Sequence, residues 1–167
     1  MSHLWTPWRM AYLRGAEPRP EGCLFCLKPG EEDAAAHIVH RGRRCYVILN
    51  RFPYNNGHLM VVPYTHVANI EDLDAETAAE LLALTQLSVR VLRQAYQPQG
   101  FNLGMNIGEV AGAGVAGHVH LHVVPRWGGD TNYMTIVGQT RVIAEWLDQT
   151  YHQLQPLFER LLADQSS

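Results

Sequence analysis

The sequence predicts an α+β fold in which one long helix packs on an antiparallel β-sheet and a second helix follows near the C-terminus. Two short runs rich in β-branched residues, 44–50 and 58–63, are separated by turn-forming residues. A helical pattern of apolar residues begins after Asp74. Strands and helices do not alternate regularly, which argues against a parallel sheet built from βαβ units.

The first half of the chain is predicted to hold a loop, a hairpin and the long helix. Residues 15–36 concentrate proline, glycine and acidic residues, which predicts an irregular loop. The runs 44–50 and 58–63 are predicted to form an antiparallel hairpin or meander. Asp74 can cap a helix that ends near residues 97–98, and its inner positions recur every three or four residues at Leu81, Leu84, Ser88, Val91 and Ala95.

The second half is predicted to hold two more strands and the C-terminal helix. One strand covers 101–106, and a glycine-rich connection leads to a second strand over 118–124, which Pro125 closes. In the last third, Pro156 is expected to force a kink or a restart of the helix. The apolar residues at helical spacing there are Val142, Ile143, Trp146, Leu147 and Leu154.

Composition limits the class of protein. A length of 167 residues with 47% apolar residues predicts one soluble globular domain. A formal net charge of −3 argues against a protein that binds long nucleic acids. No run approaches the roughly 18 apolar residues of a membrane span, and the N-terminus lacks the apolar region of a signal peptide. The three cysteines do not form a secreted disulfide framework, so we expect a cytoplasmic protein.

Three histidines alternate with apolar residues in the run 117–126. On a strand, His118, His120 and His122 share one face, while the intervening valine and leucine side chains can enter the core. The outer two would be about 13 Å apart at Cα, too far for all three to bind one ion easily. A metal site formed by two of them, an array of nucleophiles and a chance arrangement all remain open.

A glycine-rich loop precedes this row of histidines. Five glycines fall between residues 104 and 117, and such a loop lets backbone N–H groups approach an anion. The alternative interpretation is a flexible connection. Because the loop leads directly into the histidines, we favour a phosphate cradle beside an imidazole nucleophile, which is unprotonated at pH 7 when its pKa is near 6.5.

The alternating histidines resemble the signature of the histidine-triad family of nucleotide hydrolases and transferases. The run 49–63 is similar to the nucleoside-binding hairpin of that family, and the matching motifs cover about residues 23–130. The resemblance implies one histidine-triad domain over 1–167, with an N-terminal extension carrying a zinc-type C-x-x-C loop (1–36), a catalytic core (37–130) and a C-terminal helical tail (131–167).

The resemblance also implies the site residues. His120 matches the nucleophile, His122 a histidine that assists the leaving group, and His58 a histidine near it. Asn50 matches the ribose-binding position. The remaining implied nucleotide-binding residues are Asn106, Gly112, Ala113, Gly114, Val115 and Trp127.

The segments 5–12 and 123–134 resemble the bacterial branch that contains diadenosine tetraphosphate phosphorylases. This implies an enzyme that cleaves nucleoside polyphosphates, with a small-molecule substrate and a homodimer whose sheets join. Residues 112–117 lack the Gln, Ser or Thr that many hydrolytic members carry, so phosphate and water both remain open as acceptor. Two other classes are a non-catalytic nucleotide-binding adaptor and a metalloenzyme that uses two of the three histidines.

Cys23 and Cys26 form a C-x-x-C pair that is consistent with a redox pair, with two of the four ligands of a structural zinc site, or with ordinary loop cysteines. The spacing does not choose further ligands among His37, His40, His66 and His118. The resemblance implies zinc bound by Cys23, Cys26, His66 and His118, and no organic cofactor. We expect Cys45 to be a core thiol and the remaining histidines to be surface or loop residues, namely His3, His37, His40 and His152.

Overall fold

The computed structural model describes residues 22–130 and 145–164. Its strands are β1 (Ile38–Arg41), β2 (Cys45–Leu49), β3 (Leu59–Pro63), β4 (Gly100–Gly104) and β5 (Leu121–Arg126). Its helices are the short α1 (Leu24–Leu27) and α2 (Asp33–Ala36), the long α3 (Ala75–Tyr96) and the C-terminal α4 (Leu147–Ala163). Three 3₁₀ turns cover Lys28–Gly30, Ile70–Asp72 and Glu109–Ala111.

The five strands form one antiparallel sheet in the order β1-β2-β3-β5-β4. This arrangement confirms the predicted α+β class. Helix α3 packs on one face of the sheet, and α4 packs against α3 and β1. Asp74 caps α3 as predicted, because its carboxylate accepts the Thr77 backbone N–H at 2.8 Å. Within the described ranges, no helix has the length and apolarity that crossing a bilayer requires.

The sheet has apolar residues on both faces. Alternate side chains of β2 and β3, such as Val47 and Val61, pack with α3 and α4 in the larger core cluster. The other side chains, such as Ile48 and Met60, pack with Phe25 and Ala36 of the N-terminal segment. Every residue of β2 and β3 is therefore buried, as expected for strands covered on both sides.

The structure corrects several predicted boundaries. The segment predicted as irregular loop contains α1 and α2, and β1 was not predicted at all. Strand β5 begins at Leu121 rather than at residue 118. It continues through Pro125, which is tolerated because the ladder with β3 ends two residues earlier, at Val123.

For helix α4, the structure contradicts one of the two predicted effects of Pro156, the restart of the helix. The helix continues through Pro156 without a restart, since Leu154 and Phe158 on either side of the proline are anchored in the core. The predicted helical residues Val142 and Ile143 lie outside the described residues.

Two of the histidines predicted to lie at the surface or in a loop, His37 and His40, contact side chains of helix α4. His40 lies in β1 and stacks on Phe158, with ring centroids 5.8 Å apart. His37 ends α2 with a left-handed φ of 58° and contacts Asp148. His152 is exposed on α4, as predicted, and His3 lies outside the described residues.

Candidate functional site

The candidate site is a cavity of about 720 Å³ on the sheet face opposite α3. Its floor includes Ile48 and Met60 of the sheet, and the N-terminal segment forms one wall. His120 and His122 line it together with the glycine-rich loop. Predicted residues in its lining are Asn50, Asn106, Gly112, Gly114, Val115, His120 and His122.

His120 lies just before β5 and is 4% exposed. Its Nδ1 lies 2.9 Å from the carbonyl oxygen of His118. A carbonyl only accepts, so Nδ1 carries the proton and Nε2 of the neutral ring holds a lone pair. Burial lowers the pKa of His120, and the hydrogen bond to His118 partly offsets this. The uncharged ring is therefore favoured at neutral pH.

His58 and His122 form a hydrogen-bonded pair. The Tyr54 backbone N–H donates to Nδ1 of His58 at 3.0 Å, so His58 carries its proton on Nε2. That nitrogen lies 3.0 Å from Nδ1 of His122 and donates to it. The proton of His122 is thereby assigned to Nε2. Burial, followed by the charges of His122 and His120, holds the pKa of His58 well below its usual range.

The sheet register brings these groups together. Met60 of β3 lies opposite His122 of β5, and His58 immediately precedes β3. Val119 and Val123 are buried, as the alternation of the row predicted. The rings of His120 and His122 are 4.8 Å apart. Phe25 contacts His120 from the N-terminal side, with ring centroids 4.7 Å apart.

The glycine-rich loop forms another part of the cavity wall. Gly108 and Gly112 have φ values of +81° and +88°, a region in which other residues are strained. The side-chain amide of Asn106 donates to the Gly112 carbonyl at 3.4 Å, which ties the two ends of the turn together. The loop thus presents backbone to the cavity beside the histidines.

Of three other predicted nucleotide-binding residues, one lines the cavity and two do not. Asn50 lines the cavity, and its side-chain oxygen accepts the Phe52 N–H at 2.9 Å. Ala113 and Trp127 are not part of the described lining. Trp127 follows β5, and its backbone N–H donates to Asp130 at 3.3 Å.

A second cluster lies beside the first histidine of the row. One ligand atom from each of Cys23, Cys26, His66 and His118 lies within 4.8 Å of all the others. Nδ1 of His118 is 3.3 Å from the Cys23 sulfur and 3.3 Å from Nδ1 of His66. Two atoms bonded to one tetrahedral zinc ion at about 2.0–2.3 Å lie about 3.3–3.8 Å apart, so these spacings fit zinc.

The hydrogen bonds of His118 also fit a metal ligand. Its Nε2–H donates to the Pro63 carbonyl at 2.9 Å, which leaves the lone pair on Nδ1, facing the cysteines. Burial lowers the pKa of His118, with an opposing contribution from that hydrogen bond. The chain therefore offers a possible metal site with two sulfur and two nitrogen donors.

Sequence reasoning missed contacts that depend on the fold. Nothing in the spacing indicated that the Tyr54 backbone would hold His58, although the turn-like composition of 52–57 marked the segment. Phe25, between the two cysteines, touches both His118 and His120, with ring centroids 5.6 and 4.7 Å away. In the sequence, the place of Phe25 between Cys23 and Cys26 was the signal that could have indicated these contacts.

Comparison with known proteins finds relatives along most of the chain. The HIT domain family matches residues 31–129. The AP-4-A phosphorylase of Mycobacterium tuberculosis is 45% identical over 157 residues, which cover 90% of this chain and 80% of that protein. Protein hit of Bacillus subtilis is 32% identical over 108 residues, covering 65% of this chain and 73% of that protein.

Solved structures agree with this relationship. A Zn-bound histidine triad family protein from Mycobacterium smegmatis superposes with a TM-score of 0.69 at 27% identity, covering 86% of this chain and 97% of that one. The diadenosine triphosphate hydrolase of Plasmodium falciparum in complex with Cyclomarin A has a TM-score of 0.60 at 16% identity over 80% of each chain, which supports the shared fold alone. On the family match and the sequence identities, the chain belongs to the HIT domain family.

Proposed function

We propose that this chain is an enzyme that cleaves diadenosine polyphosphates, such as diadenosine tetraphosphate, by transferring AMP through His120. The observation that carries the proposal is the hydrogen bond from Nδ1 of His120 to the His118 carbonyl, 2.9 Å long. It leaves the lone pair of a buried, neutral ring on Nε2, and His120 lines the cavity. The identity to a protein named AP-4-A phosphorylase supports the substrate class.

In the first step, Nε2 of His120 attacks the α-phosphorus and forms an N–P bond. The bond from that phosphorus to the bridging oxygen breaks, and its electron pair stays on the leaving polyphosphate. With diadenosine tetraphosphate, the leaving group is ATP and the enzyme carries AMP on His120. Catalysis rests on holding the phosphate in line and on stabilising its charge.

The neighbouring groups have complementary roles in this proposal. His122 points its protonated nitrogen away from His58 and can donate to the phosphate or to the leaving oxygen. The backbone of Gly112, Ala113, Gly114 and Val115, together with Asn106, holds the phosphate. Asn50 holds the ribose hydroxyls. A role of Trp127 in specificity stays a prediction.

In the second step, an oxygen of the acceptor attacks phosphorus, its proton passes to His122, and the N–P bond breaks with its electron pair returning to Nε2 of His120, which restores the neutral ring. Inorganic phosphate would give ADP, and water would give AMP. The 45% identity to a phosphorylase favours phosphate as the acceptor.

We propose that the site formed by Cys23, Cys26, His66 and His118 holds a structural zinc ion. The ion would fix the N-terminal segment against the residues that precede β5, and so contribute folding free energy. Since Nδ1 of His118 faces this cluster, the row of histidines is divided between the two sites. His120 and His122 remain in the cavity, but Nδ1 of His122 already accepts the proton of His58, which disfavours a catalytic ion held by these two residues.

We propose a reducing, cytoplasmic location, which is supported by the lack of a disulfide among the three cysteines of the described structure. We further propose a homodimer joined along β4, an outer strand of the sheet whose Leu103 is 53% exposed. Light scattering is expected to give the mass of two chains, and the mass of one chain would contradict the dimer.

The proposed activity can be tested by incubating the protein with diadenosine tetraphosphate, with and without orthophosphate, and identifying the products. We expect ATP and ADP with phosphate. His120→Ala is expected to abolish turnover while AMP still binds, and His152→Ala on the exposed face of α4 serves as the control. Rapid quench and intact-protein mass spectrometry should detect an acid-labile AMP adduct on the parent chain. Activity of His120→Ala within about tenfold of the parent would refute the nucleophile, since losing such a group costs far more.

A further inference from the structure

Asp130 is a nearly buried carboxylate just beyond β5, with its side chain 9% exposed. Arg126 donates to it twice, from Nε at 2.5 Å and from Nη2 at 2.8 Å. The side-chain amide of Asn55 donates at 3.0 Å, and the Trp127 backbone N–H at 3.3 Å. Four donors thus converge on one carboxylate that lies outside the described cavity lining.

We propose that Asp130 is a positioning residue for the reaction: it clamps the turn between β2 and β3 to the end of β5, and so fixes the hydrogen bond between His58 and His122. The proposal rests on the proposed function only for its kinetic consequence. The structural part concerns the two imidazole rings and can be measured without substrate.

The turn side of the clamp leads directly to His58. Both N–H bonds of the Asn55 amide are used, one to Asp130 and one to the Pro125 carbonyl at 3.1 Å. The backbone carbonyl of Asn55 accepts the His58 backbone N–H at 3.2 Å. The Tyr54 backbone N–H donates to Nδ1 of the His58 ring. A continuous series of hydrogen bonds therefore links Asp130 through Asn55 to the backbone of His58, whose ring is held by Tyr54.

The strand side leads to His122. The ladder between β3 and β5 runs only from Val61–Leu121 to Leu59–Val123, and the clamp joins the two segments beyond that end. Arg126 also donates from Nη1 to Asn102 of β4 at 2.6 Å, so its guanidinium is held on both sides. The clamp thereby sets the turn against the strand that carries His122.

The negative charge of Asp130 is what the arrangement requires. An asparagine would offer one oxygen and one NH₂ group to four donors, so at least one donor would face another donor. The turn would then lose its fixed distance to β5. A displacement of about 1 Å in a reacting group can cost about 100-fold in rate, so we expect Asp130→Asn to lower kcat by about 10- to 100-fold.

The test combines NMR and kinetics on the full chain with its metal content measured. In histidine-¹⁵N-labelled parent protein, His58 and His122 are expected to be in the Nε2–H form. In Asp130→Asn, both rings should show mixed tautomers, kcat should fall, and KM should stay within about threefold because the cavity lining is untouched. Asp130→Glu, which keeps the charge, should restore part of kcat. Asp33→Asn neutralises a carboxylate that accepts from Arg41 at 2.7 Å at the far edge of the sheet, and it is the matched control.

The possible results separate the clamp from the function. Unchanged tautomers in Asp130→Asn, or equal losses in Asp130→Asn and Asp33→Asn, would overturn the clamp. If Asp130→Asn does not fold, Asn55→Ala removes the same contact from the turn side and should give the same tautomer change. If the parent does not turn over diadenosine tetraphosphate, the proposed function fails while the tautomer measurement still decides the clamp.

Discussion

At the scale of single residues, hydrogen bonds to backbone carbonyls place the lone pairs of His118 and His120 on different ring nitrogens. A neutral imidazole has one N–H, so one hydrogen bond decides which nitrogen carries the lone pair. The Pro63 carbonyl takes the proton of His118 at Nε2, and the His118 carbonyl takes that of His120 at Nδ1. The lone pair of His118 therefore faces the cysteines, whereas that of His120 is on Nε2.

The three cysteines are expected to differ sharply in reactivity. Cys45 is fully buried, and burial, with the nearby charges of Glu80 and Asp74, raises its pKa to about 12. If the proposed zinc is bound, we expect a thiol reagent at pH 8 to modify two thiols of the folded chain after treatment with a chelator, and the third only on denaturation. Absorbance of the released reagent measures the number and rate.

Cys45→Ala is the control for this titration. It should keep the two thiols that react in the folded chain and lose the third thiol that reacts on denaturation, with secondary structure monitored by circular dichroism. Three thiols that react at equal rates in the folded parent would contradict the burial of Cys45. Two rapid thiols before any chelator is added would argue against bound zinc.

The sequence indicated the residues of the candidate site but not all of their partners. The run 118–122 pointed to the site because residues two apart share a face of an extended chain. Spacing could not select the four residues of the possible metal site, since Cys26 and His66 meet only through the packing of the N-terminal segment on the sheet. The contact of Asp130 with Asn55 joins residues 75 positions apart and left no local signal.

At the scale of secondary-structure elements, the sequence predicted those helices and strands that have a strong hydrophobic periodicity or a capping residue. Helix α3 begins after Asp74 as predicted, because that cap is a local hydrogen bond. Strand β1 was missed because its four residues include His40 and Arg41, which do not form an apolar run. The start of β5 depends on its pairing with β3, which no local pattern encodes.

The turn between β2 and β3 depends on Gly57, which has a left-handed φ of +72°. A Cβ added there would lie 2.9 Å from Cδ2 of Leu92 and 3.0 Å from a ring carbon of Tyr96. We expect Gly57→Ala to lower the free energy of unfolding by about 1–3 kcal/mol, from backbone strain and overpacking together. Urea denaturation measures this change.

Gly100→Ala provides the comparison within the same sheet. An added Cβ at Gly100, the first residue of β4, meets no atom within 4 Å. The free energy of unfolding of Gly100→Ala should stay within about 0.5 kcal/mol of that of the parent, as for an ordinary surface substitution. Equal effects of the two alanines would show that Gly57 is not constrained by its turn.

At the scale of the whole molecule, covering both faces of the sheet also half-buries His40, a histidine outside the cavity lining. His40 of β1 stacks on Phe158 of α4, where these elements meet. Burial lowers the pKa of His40, and the charge of Glu80 opposes this only in part. The packing of α4 therefore favours a neutral ring, and so couples the stability of the fold to pH.

The sign of that coupling follows from the lowered pKa. Below the unfolded-state value of about 6.5, the unfolded chain binds a proton at His40 that the folded chain resists, so the free energy of unfolding falls as pH decreases. One such group contributes a slope of at most about 1.4 kcal/mol per pH unit between the unfolded and folded pKa values. We expect His40→Phe, which keeps a ring on Phe158, to reduce the slope between pH 6.5 and 5 in urea denaturation.

The slope should not vanish in His40→Phe, because burial also lowers the pKa of His58 and of His120. His152→Phe, on the exposed side of α4, is the matched control and should leave the profile unchanged. A profile of His40→Phe that superimposes on the parent from pH 7.5 to 5 would mean that His40 is protonated equally in the folded and unfolded chains. The contact of β1 with α4 would then not desolvate the His40 ring as its stacking on Phe158 implies.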